Sequence, residues 1–554
     1  MKLLNRTISL FIFILIVLVG CAPKIETVTQ TSQVHILSGD KYSSVDYPDQ
    51  LLDITRADGP VYGQLDILEA TMGLYSDYDV EEQIISIVRL DQHMVIDLVE
   101  KTIKNGDKEY TLEDQVHVID EDVWLALDYF EDLFQIEVRK NEDETQFVIK
   151  DKTIDYKQSE IASKSDLLMI DNGEWKPISQ VEKKTAVIVL SQTDEYVEVY
   201  TDDFQHGYVI ENALAEIESI TVDYLPYKTS YQQEQKNVFL AWDQNYQKNP
   251  TEEVYGSIDH VNVLSPTWLT YKNSKGDLSN RISSAYIEWA QNENIDVWVL
   301  VTNDFDPDRT RDLIYNYSTR KRAIDNLINA LEKHPIKGLN IDFENIYKED
   351  KNKLVQFVAE LTAECHKRNI DVSMDVTMMG GSDNWSKCYD REKLGNIADY
   401  LVIMAYDQHW ASSPVSGTVA GINWVEDGLN AFLEIVPRDK IILGLPLYTR
   451  VWRETPSTQV VNAMSVKSKA ITMAASQRII DEKELTPIWD EASGQYYVAY
   501  IEDETLYKIW HEDFKSLKLK AALVEKYNLG GAAVWRRGYE AVGTWDVIEN
   551  AMKE

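Results

Sequence analysis

From about residue 232 onward, short continuous apolar runs alternate with longer stretches in which apolar residues recur every three or four positions. The runs are NVFLAW, HVNVLSPTW, VWVLV, GLNIDFE, VSMDVTMM, YLVIMAYD, IILGLPLY and GGAAVW; helical stretches such as RAIDNLINALEKH and KLVQFVAELTAECHKRN fill most of the gaps. A strand covered on both faces has no polar side and reads as an unbroken apolar run, and strands separated by helices pair in parallel. Eight such units over 232–554 predict an α/β fold, a (β/α)8 barrel of the TIM type. The gap between LYTRVW and GGAAVW is too long for one helix and holds PIWDEASGQYYVAYIEDETLYKIWHED, which predicts a small α+β insertion after strand seven, about 453–520.

The first half has a different rhythm. Between about 48 and 152, segments such as QIISIVRL, MVIDLVEKTI and TQFVIKDK alternate with the helix-like LDILEATMGL and DVWLALDYFEDLF, which predicts a small α+β module. Short strands LLMID, AVIVLS, YVEVYT and HGYVIE, with turns at DNGEW and TDDFQHG, predict a small β-barrel over 160–222. The first module resembles the copper amine oxidase N-terminal-type domain, a name that implies no copper here. The second resembles a bacterial Src-homology-3 (SH3-like) barrel.

The opening MKLLNRTISLFIFILIVLVGC places Lys2 and Arg6 before an apolar run that ends in Leu18-Val19-Gly20-Cys21. It resembles a bacterial lipoprotein signal over 1–20, with Cys21 as the lipidated residue, and the run is short for a full membrane span. Polar residues over 21–47 read as a tether. The expectation is a body anchored by lipid to the cell membrane on its extracytoplasmic side, facing the cell wall.

Composition removes several alternatives. A chain of 554 residues divides into several cores, and 44% hydrophobic residues exclude general disorder. A formal net charge of -38 excludes nucleic acid as a partner, because binding phosphates requires clustered Lys and Arg. With Cys21 assigned to lipid, Cys365 and Cys388 remain; export permits a bridge between them but does not require one. No zinc-ligand spacing surrounds them and the nine His residues are scattered, so neither metal nor cofactor is expected. NDFDPDRTRD, Asn303 to Asp312, is acidic but lacks the central Gly and closing Glu of an EF-hand.

The informative residues sit where the predicted strands end, the face on which barrels of this kind carry their chemistry. Asp342 and Glu344 follow strand four, Met404, Tyr406 and Asp407 strand six, Tyr448 and Arg450 strand seven, and Trp535 strand eight. Strand alternation directs Asn340, Asp342 and Glu344 into the lumen and Ile341 and Phe343 toward the helices. Two carboxylates that close do not both ionise cheaply, so one keeps its proton near neutral pH and Glu344 is placed to protonate a leaving oxygen.

These blocks carry a resemblance. Lys337-Gly338-Leu339-Asn340-Ile341-Asp342-Phe343-Glu344, MAYDQHW, GLPLYTRVW and GGAAVWRRGYE resemble, in order, four blocks of glycoside hydrolase family 18, in particular its members that act on spore-cortex peptidoglycan. The resemblance implies a retaining reaction in which the substrate's 2-acetamido oxygen, rather than an enzyme group, attacks the anomeric carbon. It implies Glu344 as acid and then base, Asp342 orienting the acetamido group, Tyr406 bonding its oxygen, Asp407 holding the distorted sugar and Trp535 as the floor. Asn340 and Met404 would line the substrate site, with Trp268, Trp410 and Tyr448 at the cleft rim. Arg450 is either a substrate contact or a structural ion pair.

Two departures stand out. Lys337 replaces a leading acid, and Asn340 replaces the innermost Asp, which in most members stabilises the middle one; the Asn340 amide is expected to bond Asp342 instead. The preferred substrate is an N-acetylated polysaccharide with β-1,4 bonds, namely peptidoglycan, with chitin as the alternative. The contrasting reading, motivated by Asn340 and the two accessory modules, is a glycan-binding lipoprotein that has lost the chemistry.

Overall fold

The computed structural model describes residues 33–38, 41–46, 60–141, 146–193, 195–222, 237–245, 258–456 and 464–553. The predicted signal peptide and Cys21 lie outside them.

Eight parallel strands close into a ring: β1 (Val238–Asp243), β2 (Val263–Tyr271), β3 (Asp296–Thr302), β4 (Gly338–Asp342), β5 (Asp371–Thr377), β6 (Tyr400–Met404), β7 (Ile441–Pro446) and β8 (Gly531–Trp535), with β1 pairing both β2 and β8. The (β/α)8 expectation is met. Alternate residues divide between two cores: Phe239, Val299, Leu339, Ile341, Val372, Ile403 and Leu443 pack outward against helices, while Leu240, Trp242, Trp298, Leu300, Val402 and Ile442 fill the lumen. Such a barrel is a packed core with an open mouth. Gly338 is required at the lower end of β4, because a Cβ there would lie 2.3 Å from the Trp298 ring.

The insertion begins earlier than the sequence pattern suggested. Tyr448–Pro456 follows β7 directly and forms, with Met464–Thr472, Thr505–His511, Gln495–Glu502 and Ile488–Asp490, a five-stranded antiparallel sheet. Helix Met473–Glu482 packs Ile480 onto Val498 and Ile509 of this sheet.

The first module contains a five-stranded meander, Tyr75 to Thr111, and a four-stranded sheet in the order Ile136–Lys140, Gln146–Asp151, Gln33–Ser38, Lys41–Asp46. Two of those strands fall in the segment read as a tether, 21–47. That reading is corrected for 33–38 and 41–46: Gln33–Ser38 pairs in parallel with Gln146–Asp151 and buries Val34 and Ile36 in the module core. The segment's polar composition concealed a strand whose Val34 and Ile36 alternate inward. Tyr156 to Ile220 forms a seven-stranded antiparallel sheet around Leu167, Val187, Val197, Val199 and Val209.

The α+β module docks on the outside of the barrel. Helix Lys351–His366 turns Leu354, Phe357, Val358 and Leu361 to the barrel and Ala359 and Ala363 to Val88 of the module. Arg320, fully buried, pairs with Glu360 at 3.0 Å and with Asp77 of the module at 3.0 Å, and Ser86 donates to Glu360 at 2.6 Å.

Candidate active site

Asp342 is the last residue of β4 and Glu344 lies two residues further on. Ile341 and Phe343 are fully buried on the helix side, which leaves Asp342 and Glu344 facing the mouth of the lumen with part of each still accessible. The turn is held by Asn303 at the end of β3: its Oδ1 accepts from the Glu344 N–H at 3.1 Å and its Nδ2 donates to the Glu344 carbonyl at 2.7 Å. A two-bond clamp on the backbone aims the Glu344 side chain without using its carboxyl. Asn303 was not recognised from the sequence, where it read as the start of an acidic loop.

Asn340 departs from expectation. Its amide does not bond Asp342; Oδ1 accepts from Trp242 Nε1 at 2.9 Å and from Ser265 at 3.0 Å, and Nδ2 donates to Ser373 at 3.0 Å and to Asp375 Oδ1 at 2.7 Å. The strand register explains this, since Asn340 is level with Ser373 on β5 and its amide lies below Asp342 rather than beside it.

Asp375, also unassigned from the sequence, therefore joins the site as a third lumen carboxyl, 1% exposed. Its signal was present in VSMDVTMM: Ser373 and Asp375 are alternate polar residues in an apolar strand, and both must point to a polar interior.

Burial and mutual repulsion set the charge of this cluster. Burial raises Asp342 to about 7, and one of its oxygens, Oδ1, is buried without a hydrogen-bond partner. Burial first, then the neighbouring Asp342 and Asp407, raise Glu344 well above the ordinary carboxylate range. Burial, Asp342 and Glu344 do the same for Asp375, against the hydrogen bonds from Asn340 and Trp242. Such a group titrates as a unit, and protons remain on it near neutral pH.

Four aromatic rings meet at the mouth. Trp535 meets Trp242 edge-on at 5.9 Å, and Tyr406 meets Trp242 at 6.4 Å and Tyr448 at 6.3 Å. Burial, with Asp375 next, keeps the Tyr406 hydroxyl protonated far above its usual range, so it is a hydrogen-bond donor. Asp407, in the left-handed region at φ 56, accepts from Tyr448 at 2.7 Å and from Arg450 Nη2 at 3.1 Å. Tyr448 and Arg450 come from the first strand of the insertion rather than from β7, and Arg450 forms an ion pair with Asp407.

The sequence profile described as glycosyl hydrolases family 18 matches residues 199–540. The chain belongs to this family. As a family 18 glycoside hydrolase it is an enzyme with a (β/α)8 catalytic barrel. It is 25% identical over 309 residues to the uncharacterized glycosylase YvbX of Bacillus subtilis, covering 53% of this chain and 86% of that protein. It is 22% identical to the cortical fragment-lytic enzyme of Bacillus subtilis, over 47% of this chain and 61% of that enzyme, so the match spans less than two thirds of the enzyme's length. Among solved structures, a chitinase from Chromobacterium violaceum has the same fold at a TM-score of 0.50 and 22% identity, covering 58% of this chain and 100% of that one. The spore cortex-lytic enzyme SleL of Bacillus megaterium does so at a TM-score of 0.50 and 18% identity, covering 58% of this chain and 75% of that chain.

Other sequence expectations at the family 18 site meet different fates. Met404 is buried beneath the mouth, level with Thr377 of β5 and Gly444 of β7. Trp410 is 52% exposed on the loop after β6. Trp268 is not a cleft residue: it is fully buried in the outer core and packs against Tyr286 at 5.2 Å, because a register shift between Thr267 and Leu269 alters the alternation of β2. In the acidic loop, Asp306 caps helix Pro307–Ile314 and pairs with Arg309 at 3.0 Å, and Asn303 serves as the Glu344 clamp. Cys365 and Cys388 are both buried free thiols.

Proposed function

We propose that this family 18 hydrolase cuts β-1,4 bonds next to N-acetylglucosamine, in peptidoglycan, with retention of the β configuration. The observation that carries the reading is Glu344 at the barrel mouth, its backbone clamped by Asn303, two residues beyond a second lumen carboxyl. Glu344 protonates the leaving oxygen as the substrate's acetamido oxygen closes on the anomeric carbon, and then takes a proton from the water that opens the resulting oxazolinium. Asp342 holds the acetamido N–H and balances the positive charge of that ring. Tyr406 donates to the acetamido oxygen, Asp407, steadied by Tyr448 and Arg450, holds the distorted sugar, and Trp535 lies beneath it.

Peptidoglycan is favoured over chitin by the relatives named for cortical fragments, which match more of this chain than the human di-N-acetylchitobiase does, 45–47% against 38%. Lipidation at Cys21 would hold the enzyme on the outer side of the cell membrane, within reach of the wall. The test incubates the full chain with purified peptidoglycan and with N-acetylated oligosaccharides, reading fragments by mass spectrometry and the first-formed anomer by proton NMR. Cleavage to the β anomer, loss of at least about 100-fold in rate with Glu344→Gln, and poor turnover of de-acetylated glycan are expected. Equal cleavage by Glu344→Gln, or of de-acetylated glycan, refutes it.

A further inference from the structure

The mechanism just described needs Asp342 as an anion beside a protonated Glu344, inside a lumen where charge is poorly solvated. Neither residue explains how Asp342 is kept in that form. Asn340, directly below on β4, has no proton to exchange, and its amide orientation is dictated by chemistry. Trp242 Nε1 is a donor only, so Asn340 must turn its oxygen to it and its NH2 to Ser373 and Asp375. Asp375 Oδ1 is thereby committed as an acceptor, and any proton on Asp375 sits on Oδ2.

Continuing the β4–β5 ladder from Asn340 opposite Ser373 and Ile341 opposite Met374 sets Asp342 beside Asp375, both directed into the lumen. Asp342 Oδ1 is buried there with no hydrogen-bond partner.

We propose that Asp375 is a positioning residue of the hydrolytic centre, the second carboxyl that shares one proton with Asp342 from the neighbouring strand, in place of an acid at position 340. In the resting state the proton is on Asp375 Oδ2, Asp342 is the anion and Glu344 is protonated. Transfer of that proton to Asp342 leaves Asp375 as the anion, accepting from Asn340, and the charge of the three carboxyls is unchanged. The ionisable groups acting on the pair are Glu344 from the β4 end, Tyr406 from the β6 end and the buried Tyr389; among the described residues, the groups that set the Asp375 equilibrium include no cation. The inference rests on the proposed reaction for its kinetic consequence but not for its charge state.

Asp375→Asn keeps an acceptor for Asn340 and removes the titratable proton together with the capacity to become an anion. On an N-acetylated oligosaccharide it should lower kcat about 100-fold with little change in KM, and shift the acid limb of the pH profile. The double variant Asn340→Asp/Asp375→Asn, which returns the acid to β4, should recover at least about tenfold of that loss. A carboxyl raised in the folded state favours folding least when ionised, so Asp375→Asn should melt higher than the wild type by a margin that widens as pH rises from 5 to 8. The idea is overturned if the single variant keeps the wild-type kcat and pH profile. It is equally overturned if the double variant is no better than the single while both melt cooperatively. Should the wild type prove inactive, the proposed reaction falls, yet the melting comparison still decides Asp375: no pH-dependent margin would rule out the shared proton.

Discussion

At the residue scale, Glu344 and Asp407 are each held in place by neighbouring side chains. Asn303 fixes the Glu344 backbone, and Arg450 and Tyr448 fix Asp407. The bonds to Asp407 are charge-assisted and directional, so they aim its carboxylate more strictly than packing does. Arg450→Met, which keeps an unbranched side chain of similar length at this buried position, should therefore free Asp407 and lower kcat/KM about tenfold with the fold retained. Steady-state kinetics and a thermal melt measured together check this; a loss of stability matching the loss of activity would assign Arg450 to folding instead. Glu344, Asp342, Tyr406, Asp407 and Trp535 were readable because strand-end polarity in an apolar pattern is rare. Asp375 and Asn303 were not singled out, because their importance comes from which strand lies beside which, and a strand's neighbours are not written in its own residues.

At the scale of elements, helix Lys351–His366 is buried on two sides, one apolar toward the barrel and one bearing Gln356, Glu360 and Ala363 toward the α+β module. Burial alone would raise the Glu360 carboxyl; Arg320 and His93 outweigh it and hold the group down at about 2. Its contribution is therefore present above the ordinary carboxylate range and lost only as pH falls toward 2. Glu360→Ala would leave the fully buried Arg320 with Asp77 as its remaining ion-pair partner, at a cost of about 3–5 kcal/mol, whereas an apolar replacement of both partners should cost much less. Urea denaturation of the single variant and the pair distinguishes these outcomes, and equal losses would contradict the account.

At the scale of the whole molecule, the α+β module is fastened to the barrel by a second contact that responds to pH. His366 Nδ1 lies 2.7 Å from Asp91 of the module and its Nε2 lies 3.0 Å from Asp399 of the barrel. Burial would lower the imidazole, but hydrogen bonds to Asp399 and Asp91 raise it to about 9. A raised histidine stabilises the folded state fully below its unfolded value near 6.5, and that contribution is lost as pH climbs through 9. Hydrogen exchange along Ile84–Arg89 and Lys351–His366 should accordingly speed up between pH 7 and 9.5, once intrinsic exchange is corrected for, and His366→Gln should remove the transition. A flat profile in the wild type would mean that the histidine does not govern the contact.

The chain's own pattern determined the barrel, the number and order of its strands, the presence of an insertion and the four blocks that carry the family, because backbone periodicity and burial are local properties that a one-dimensional pattern records. Only the tertiary structure decided that Trp268 belongs to the outer core, that Tyr448 and Arg450 are lent by the insertion, that residues 33–38 complete a sheet, and that Asn340 answers to Asp375 rather than Asp342. Each of these depends on register and on contacts between segments distant in sequence, where one residue of slip in a strand exchanges inside for outside.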